Sequence, residues 1–313
     1  MITVKAINRV SYYHTFDTLS TLFTTNHMKI QSITPDKHKF LQITVNIPKP
    51  PKMLYYIGEL PPERIPAVAV VGTRKPTAYG VEVTNRLTYD LASKGVLIVS
   101  GLALGIDALA HKATLDANGA TLAVLPCGLN KIAPATNRGL AVSILEKGGA
   151  ILSEYPEGDV ISWKLNMHER NRLVSGLSDA ILITEASARS GTLNTASHAL
   201  AQGKEVFVVP GNITSPLSAG CNALLKQGAT PVTEAKDILE VIAPQLLSAQ
   251  NSLALGNNEL ESQIIKLLNQ GMRDGEQLQR DVNVSTAEFN AALTMMEING
   301  IIRSLGANQW TLR

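Results

Sequence analysis

RNRLVSGLSDAILITEASARSGTLNTASHALAQGKEVFVVPGN, residues 170–212, decides the fold. It contains two apolar runs, 180–184 and 206–209. Each is too short for a helix and is bounded by turn residues, so each reads as a buried strand. A helix-length segment, 193–202, lies between them and is opened by Ser190-Gly191-Thr192. Strand, loop, helix, strand is one unit of a parallel sheet. Its loop falls at the carboxyl end of the first strand, where open α/β sheets bind ligands. Gly191 lets the backbone come close to a ligand. The hydroxyls of Ser190 and Thr192 stand beside a helix amino end whose free N–H groups favour anions. Arg170, Arg172, Glu185 and Arg189 crowd the same region.

The alternation continues on both sides. Residues 68–71, 96–100, 121–125 and 150–153 read as strands. Helices are expected from the first loop to about 93, through 117 after the second strand, and near 137–147. Downstream, 218–227 is a helix, 230–232 a short strand and 234–242 a helix. This order predicts the α/β class with a doubly wound parallel sheet over a core of residues 52–243. Right-handed crossovers place its Gly-rich loops at one edge.

Outside that core the pattern changes. Residues 1–51 read as an amino-terminal arm, loosely attached over 1–27, with Met28 a second candidate start and 40–45 a strand candidate. Residues 244–257 carry no charge and read as a linker. In 258–313, Leu260, Ile264, Leu267 and Leu268 make one apolar helix stripe, and 274–281 forms a short helix. Ser285 caps a third helix, with Glu288 as its capping-box partner. The apolar pieces 300–302 and 310–312 flank a turn at Gly306-Ala307-Asn308, which predicts a hairpin. Three helices followed by a hairpin is the layout of a winged helix.

Composition narrows the function classes. Net charge is +2, split as +4 over residues 1–51, 0 over 52–243 and −2 over 258–313. No segment binds nucleic acid by bulk charge, so a polyanion site must be local. Two cysteines far apart, Cys127 and Cys221, suit a reducing cytoplasm and argue against a zinc site. No metal or other cofactor is expected. No apolar run approaches ~18 residues, so no membrane contact is expected, and no signal peptide is visible.

The loops at the predicted edge supply Gly72, Thr73, Arg74 and Lys75, then Ser100 and Gly101, Gly128 and Asn130, Lys164, Arg170, Asn171 and Arg172, and Ser190, Gly191 and Thr192. The first loop is neither G-x-G-x-x-G nor G-x-x-x-x-G-K-[ST], which disfavours NAD and ATP. A row of donors and cations suits a phosphate chain. With aromatic content of 4%, backbone phosphate contact is favoured over many stacked bases. Asp107 and Glu185 read as loop-positioning carboxylates that accept N–H bonds at strand ends. His111, four residues after Asp107, reads as structural, and His168 as a weak phosphate contact.

The segments 68–80, 100–111, 149–156, 170–177, 185–196 and 209–211 together resemble the DNA-processing protein A (DprA, also called Smf) family, over about residues 52–243. The resemblance implies a cytosolic, non-catalytic protein with a Rossmann-like core that binds single-stranded DNA, dimerises and helps load the RecA recombinase in natural transformation. Against the family pattern, no amino-terminal helical domain of the usual size is expected. Ala133-Pro134 replaces Tyr-Pro, and Met167 stands where a Phe can touch a base. Lys164 keeps the family's basic position. The alternative is a phosphoribohydrolase of the LOG type on the same fold. That family resembles Pro-Gly-Gly-x-Gly-Thr-x-x-Glu with a catalytic Glu, whereas Thr195 occupies the position here. A hydroxyl cannot replace a carboxylate base near neutral pH.

Overall fold

A computed structural model describes residues 29–158, 163–248 and 258–312. The expected loose segment 1–27 lies outside these residues, as does most of the expected linker. The chain divides into two compact units after Ala243.

The first unit is built on a nine-stranded sheet. Its strands are β1 (Gln31–Ile33), β2 (Leu54–Gly58), β3 (Ala67–Val71), β4 (Leu97–Ser100), β5 (Thr121–Leu125), β6 (Ala150–Ser153), β7 (Ala180–Ile183), β8 (Glu205–Val208) and β9 (Thr230–Pro231). They lie in the order β1-β2-β6-β5-β4-β3-β7-β8-β9. From β6 to β9 every neighbouring pair is parallel, while β1 and β2 pair antiparallel with each other and β2 with β6. The chain builds outward from β3 through β6, returns to place β7 beside β3, and continues the other way. That reversal makes the sheet doubly wound and puts its switch point between β3 and β7.

The helices between the strands are α1 (Ala78–Ser93), α2 (Ile106–Asp116), α3 (Arg138–Glu146), α4 (Trp163–Gly176), α5 (Thr192–Ala201), α6 (Ala219–Lys226) and α7 (Ala235–Ile242). They cover both faces, so β3 to β7 are buried along their whole length and nearly all apolar, with Ser100, Thr121 and Ser153 at strand ends as the polar exceptions. The two-residue pleat still sorts the side chains. Ala67, Ala69 and Val71 of β3, Ile181 and Ile183 of β7, and Val206 and Val208 of β8 join Leu173 and Val174 of α4 and Ala196 and Ala199 of α5. Ala123, Leu125 and Ile151 point into a second cluster with Ala141 and Ile144 of α3. Each large side chain buried this way contributes ~1.5–3 kcal/mol.

The arm differs from expectation. Leu41–Asn46 is a 3₁₀ helix, not a strand. Its sequence, LQITVN, alternates apolar and polar at period two, but the buried residues are Leu41 and Thr44, three apart, and Val45 is exposed. The strands of this region are β1 and β2 instead, and they extend the sheet beyond β6.

The second unit contains α8 (Gln245–Ser248), α9 (Glu259–Asn269), α10 (Gly275–Val282) and α11 (Thr286–Ile298), then the hairpin of β10 (Ile302–Gly306) and β11 (Gln309–Leu312). Ser285 and Glu288 form the expected capping box at α11. Ala307 and Asn308 both have positive φ, as a two-residue hairpin turn of primed type requires. Ile264, Leu268, Leu278, Phe289, Leu293, Met296 and Ile302 form its own core.

Candidate functional site

A cleft of about 540 Å³ opens at the carboxyl edge of the sheet, beside the β3–β7 switch point. Four segments wall it: the loop after β3 with Gly72, Thr73 and Arg74; Ala103 and Asp107 at the start of α2; Met167, His168, Arg170 and Asn171 of α4; and Ser190, Gly191, Thr192 and Thr195 at the start of α5. These come from stretches up to ~120 residues apart in sequence, and the doubly wound topology brings them together.

The loops are fixed by main-chain bonds. Thr73 N donates to the Glu185 carbonyl at 2.8 Å, and Ile106 N donates to the Thr73 carbonyl at 3.1 Å. Gly105 has φ of 79° and lies against the backbone of Thr73 and Arg74, where a Cβ would sit 2.3 Å from the Thr73 carbonyl oxygen. The Glu185 side chain is buried; its Oε2 accepts from Thr77 N at 2.8 Å and its Oε1 from Thr77 Oγ1 at 2.6 Å. Thr77 in turn caps α1 by accepting from Gly80 N. Asp107 Oδ2 accepts from Gly101 N at 3.0 Å and Ala103 N at 3.4 Å. Burial pushes its carboxyl above the usual range, against the opposing pull of Arg170.

The arginines divide. Arg74 is exposed, and its Nη2 rests on Met167 Sδ at 3.2 Å. Lys75 is exposed next to it but does not line the cleft. Arg170 lines the cleft floor yet is only 3% exposed. Its Nη1 donates to the carbonyls of Gly101 at 2.6 Å and Val124 at 2.5 Å, tying together the carboxyl ends of β4 and β5. Arg172 is buried outside the cleft and donates from Nη2 to both oxygens of Glu154. Both therefore hold supporting positions: the sequence reading groups them with the donors and cations of the edge, and their guanidinium groups turn to main-chain carbonyls and to Glu154.

Other expected residues also fall away from the cleft. Ser100 is fully buried, and its Oγ donates to the Val70 carbonyl at 2.7 Å. At Gly101 the space of a side chain is filled by the Arg170 guanidinium, 2.0 Å from an added Cβ, so this glycine admits a protein group and not a ligand. Gly101 borders a smaller cavity of about 180 Å³ shared with Arg74, Leu104, Pro134 and Met167. Gly128 packs against the Pro156 carbonyl, and neither it nor Asn130 lines the cleft. The side chain of Lys164 lies outside the described residues.

The start of α5 remains open. A Cβ on Gly191 would meet nothing within 4 Å. Ser190 Oγ donates to Thr192 Oγ1 at 2.9 Å and accepts from Thr192 N at 3.2 Å, while Asn171 Nδ2 donates to Asn194 Oδ1 at 3.3 Å and links α4 to α5. His111 is fully buried away from the cleft. Thr121 Oγ1 donates to the Ile98 carbonyl, so it accepts from His111 Nδ1, 2.7 Å away, which leaves Nε2 without a partner. Burial first, and the Arg170 charge second, hold its pKa at about 3.

A second cavity, about 390 Å³, lies on the other side of Glu185. Tyr79, Pro210, Asn212 and Ser215 line it. The sequence reading did not single these out. An aromatic five residues after Arg74, in a chain with few aromatics, was the available signal. Among the described residues no group of three His, Cys, Asp or Glu is placed to hold a metal, and no described helix is long and apolar enough to cross a membrane.

A doubly wound parallel sheet with Gly-rich loops, an exposed arginine and an open helix amino end at its switch point defines a Rossmann-like fold. The family model of DNA recombination-mediator protein A matches residues 31–243, and the chain belongs to that family. It is 49% identical over 190 residues to Protein Smf of Escherichia coli (strain K12), covering 61% of this chain and 50% of that protein. It is also similar to the X-ray structure of DNA processing protein A from Streptococcus pneumoniae, with TM-score 0.64 and 34% identity over 71% of this chain and 78% of that one. DNA processing protein A from Helicobacter pylori, whose structure concerns its single-stranded DNA binding mode, matches with TM-score 0.60 and 32% identity over 70% of this chain and 98% of that one. The chain spans about half the length of the curated relatives it matches first, 50% and 53%.

Proposed function

We propose that the carboxyl-edge cleft binds the phosphate backbone of single-stranded DNA, and that the chain acts in DNA processing during transformation and recombination. The observation that carries this reading is the meeting of exposed Arg74 with the open Gly191 backbone and the amino end of α5 in one cleft. A guanidinium pairs with phosphate in two places, and the helix end offers N–H donors to the same anion. Gly72, Thr73 and Asn171 complete the donor row, Met167 supports Arg74, and Lys75 extends the positive edge. Lys164 belongs to the same proposed track. Arg170, Asp107 and Glu185 position the loops.

The protein is read as non-enzymatic. Asp107 lies in the cleft, but its Oδ2 is held by two main-chain N–H groups, and Thr195 presents a hydroxyl where the phosphoribohydrolase alternative needs a carboxylate. We further read it as a cytoplasmic homodimer that presents the strand to the RecA recombinase. Titration with single-stranded and double-stranded DNA of one sequence tests the central reading. Tighter binding of the single strand is expected, while ribose 5-phosphate release from AMP at an ordinary enzymatic rate would replace it with the alternative.

A further inference from the structure

Apart from Glu185 and Thr77, the residues lining the cavity beyond Glu185 have no role assigned above, yet it lies on the same sheet edge. Tyr79 stands in the first turn of α1, five residues after Arg74, so their Cα atoms are at most ~18 Å apart. Its side chain is 45% exposed, and its hydroxyl donates to the Pro210 carbonyl at 2.8 Å. That bond anchors one end of a large apolar side chain that otherwise faces solvent. Across the cavity the loop after β8 carries Asn212 and Ser215, with Ile213 beside them 91% exposed. Asn212 Oδ1 accepts from Thr214 N at 3.0 Å and from Thr214 Oγ1 at 2.8 Å, which fixes the amide. Its Nδ2 donates to nothing among the described residues. The carboxylate on the wall, Glu185, is buried and accepts from Thr77 through both oxygens.

A tethered aromatic ring and a free amide donor around a cavity of about 390 Å³ match an unstacked nucleobase: a π-face to stack on and a donor for a ring nitrogen or carbonyl. We propose that Tyr79 is a base-stacking platform and that the strand runs from the Arg74 cleft past Glu185 onto it. The proposal rests on the single-stranded DNA reading and adds a second contact, to a base instead of a phosphate. Many stacked bases are not required; one aromatic at the end of a phosphate track suffices to fix register.

The test compares wild type, Tyr79→Leu, Tyr79→Phe and Arg74→Ala for binding of a phosphorylated thymidine dinucleotide and of a long oligothymidylate, with thermal melting and sedimentation of each protein. Tyr79→Leu is expected to bind the long strand ~5- to 150-fold more weakly, the equivalent of one stacked base. Tyr79→Phe should bind close to wild type, and the dinucleotide, small enough for the Arg74 cleft alone, should not distinguish wild type from either Tyr79 variant but should bind Arg74→Ala more weakly. If Tyr79→Leu binds the long strand like wild type, or Tyr79→Phe is as weak as Tyr79→Leu, the platform is overturned. A changed oligomeric state in Tyr79→Leu would assign the surface to a protein contact and overturn it equally. Arg74→Ala separates the two claims: if it weakens binding and Tyr79→Leu does not, only the platform falls, whereas if neither does, the cleft reading itself falls.

Discussion

Arg170 and Gly101 are a pair in which each residue explains the other. The guanidinium fills the space that any side chain at position 101 would need, and spends its Nη1 on two strand-end carbonyls. Gly101→Ala should displace it and destabilise the first unit by ~1–3 kcal/mol, the usual cost of overpacking. Arg170→Ala orphans buried carbonyls at ~1–3 kcal/mol each. Combined, the two should cost clearly less than their sum, because both break one contact; additive losses in chemical denaturation would refute the pairing. His111 makes a second residue-scale prediction. Its folded pKa is depressed from 6.5 to about 3, so the unfolded chain binds its proton first. Its contribution is whole above pH 6.5 and is lost as pH falls towards about 3, by ~1.4 kcal/mol per pH unit. His111→Asn, which keeps a donor to Thr121, should flatten that part of the stability profile; an unchanged slope would place the acid sensitivity elsewhere. The sequence made both residues visible but not their burial. An Arg-Asn-Arg run beside a Gly-rich loop looks like a row of exposed cations, and only the tertiary path of α4 shows that two of its side chains turn inward.

At the scale of elements, the strand order from β3 to β9 and most of the helices were legible because each buried strand is a short apolar run closed by turn residues; α4 was not, and Trp163–Gly176 is a helix where the sequence reading places none between 153 and 180. The arm was not. LQITVN carries a strand's alternation, yet it closes into a 3₁₀ turn over buried Phe40 and Leu41, and pairing was left to β1 and β2. Short segments obey tertiary packing before they obey local period. In the second unit, the three helices, the capping box and the hairpin turn were all readable from caps and φ-demanding positions. Its chemistry points away from DNA. Helix α11 holds no Lys or Arg, and residues 258–313 sum to −2. A recognition helix normally brings cations to phosphates and base edges. Residues 258–313 alone should therefore bind neither single- nor double-stranded DNA at physiological salt, while residues 29–243 keep most of the affinity of the full chain. Tight duplex binding by the isolated unit, measured by fluorescence anisotropy, would reverse that division of labour.

For the whole molecule, a net charge of +2 is too small to attract nucleic acid in bulk, and the carboxyl-edge cleft sets exposed Arg74 beside the open amino end of α5. Leu224 of α6 is buried in the sheet's own core, so charge placed there should unfold the unit; sedimentation of the intact protein is the measurement for the proposed homodimer. The central claim is that affinity comes from a few phosphate contacts led by Arg74. For single strands, log K falls with log salt at a slope of about −0.7 per phosphate contact. Measured across a salt series, the wild type should bind oligothymidylate with a definite negative slope, and Arg74→Ala should bind more weakly with that slope shallower by ~0.7. Identical affinity and slope in the two proteins would contradict the account, leaving Arg74 an ordinary surface charge.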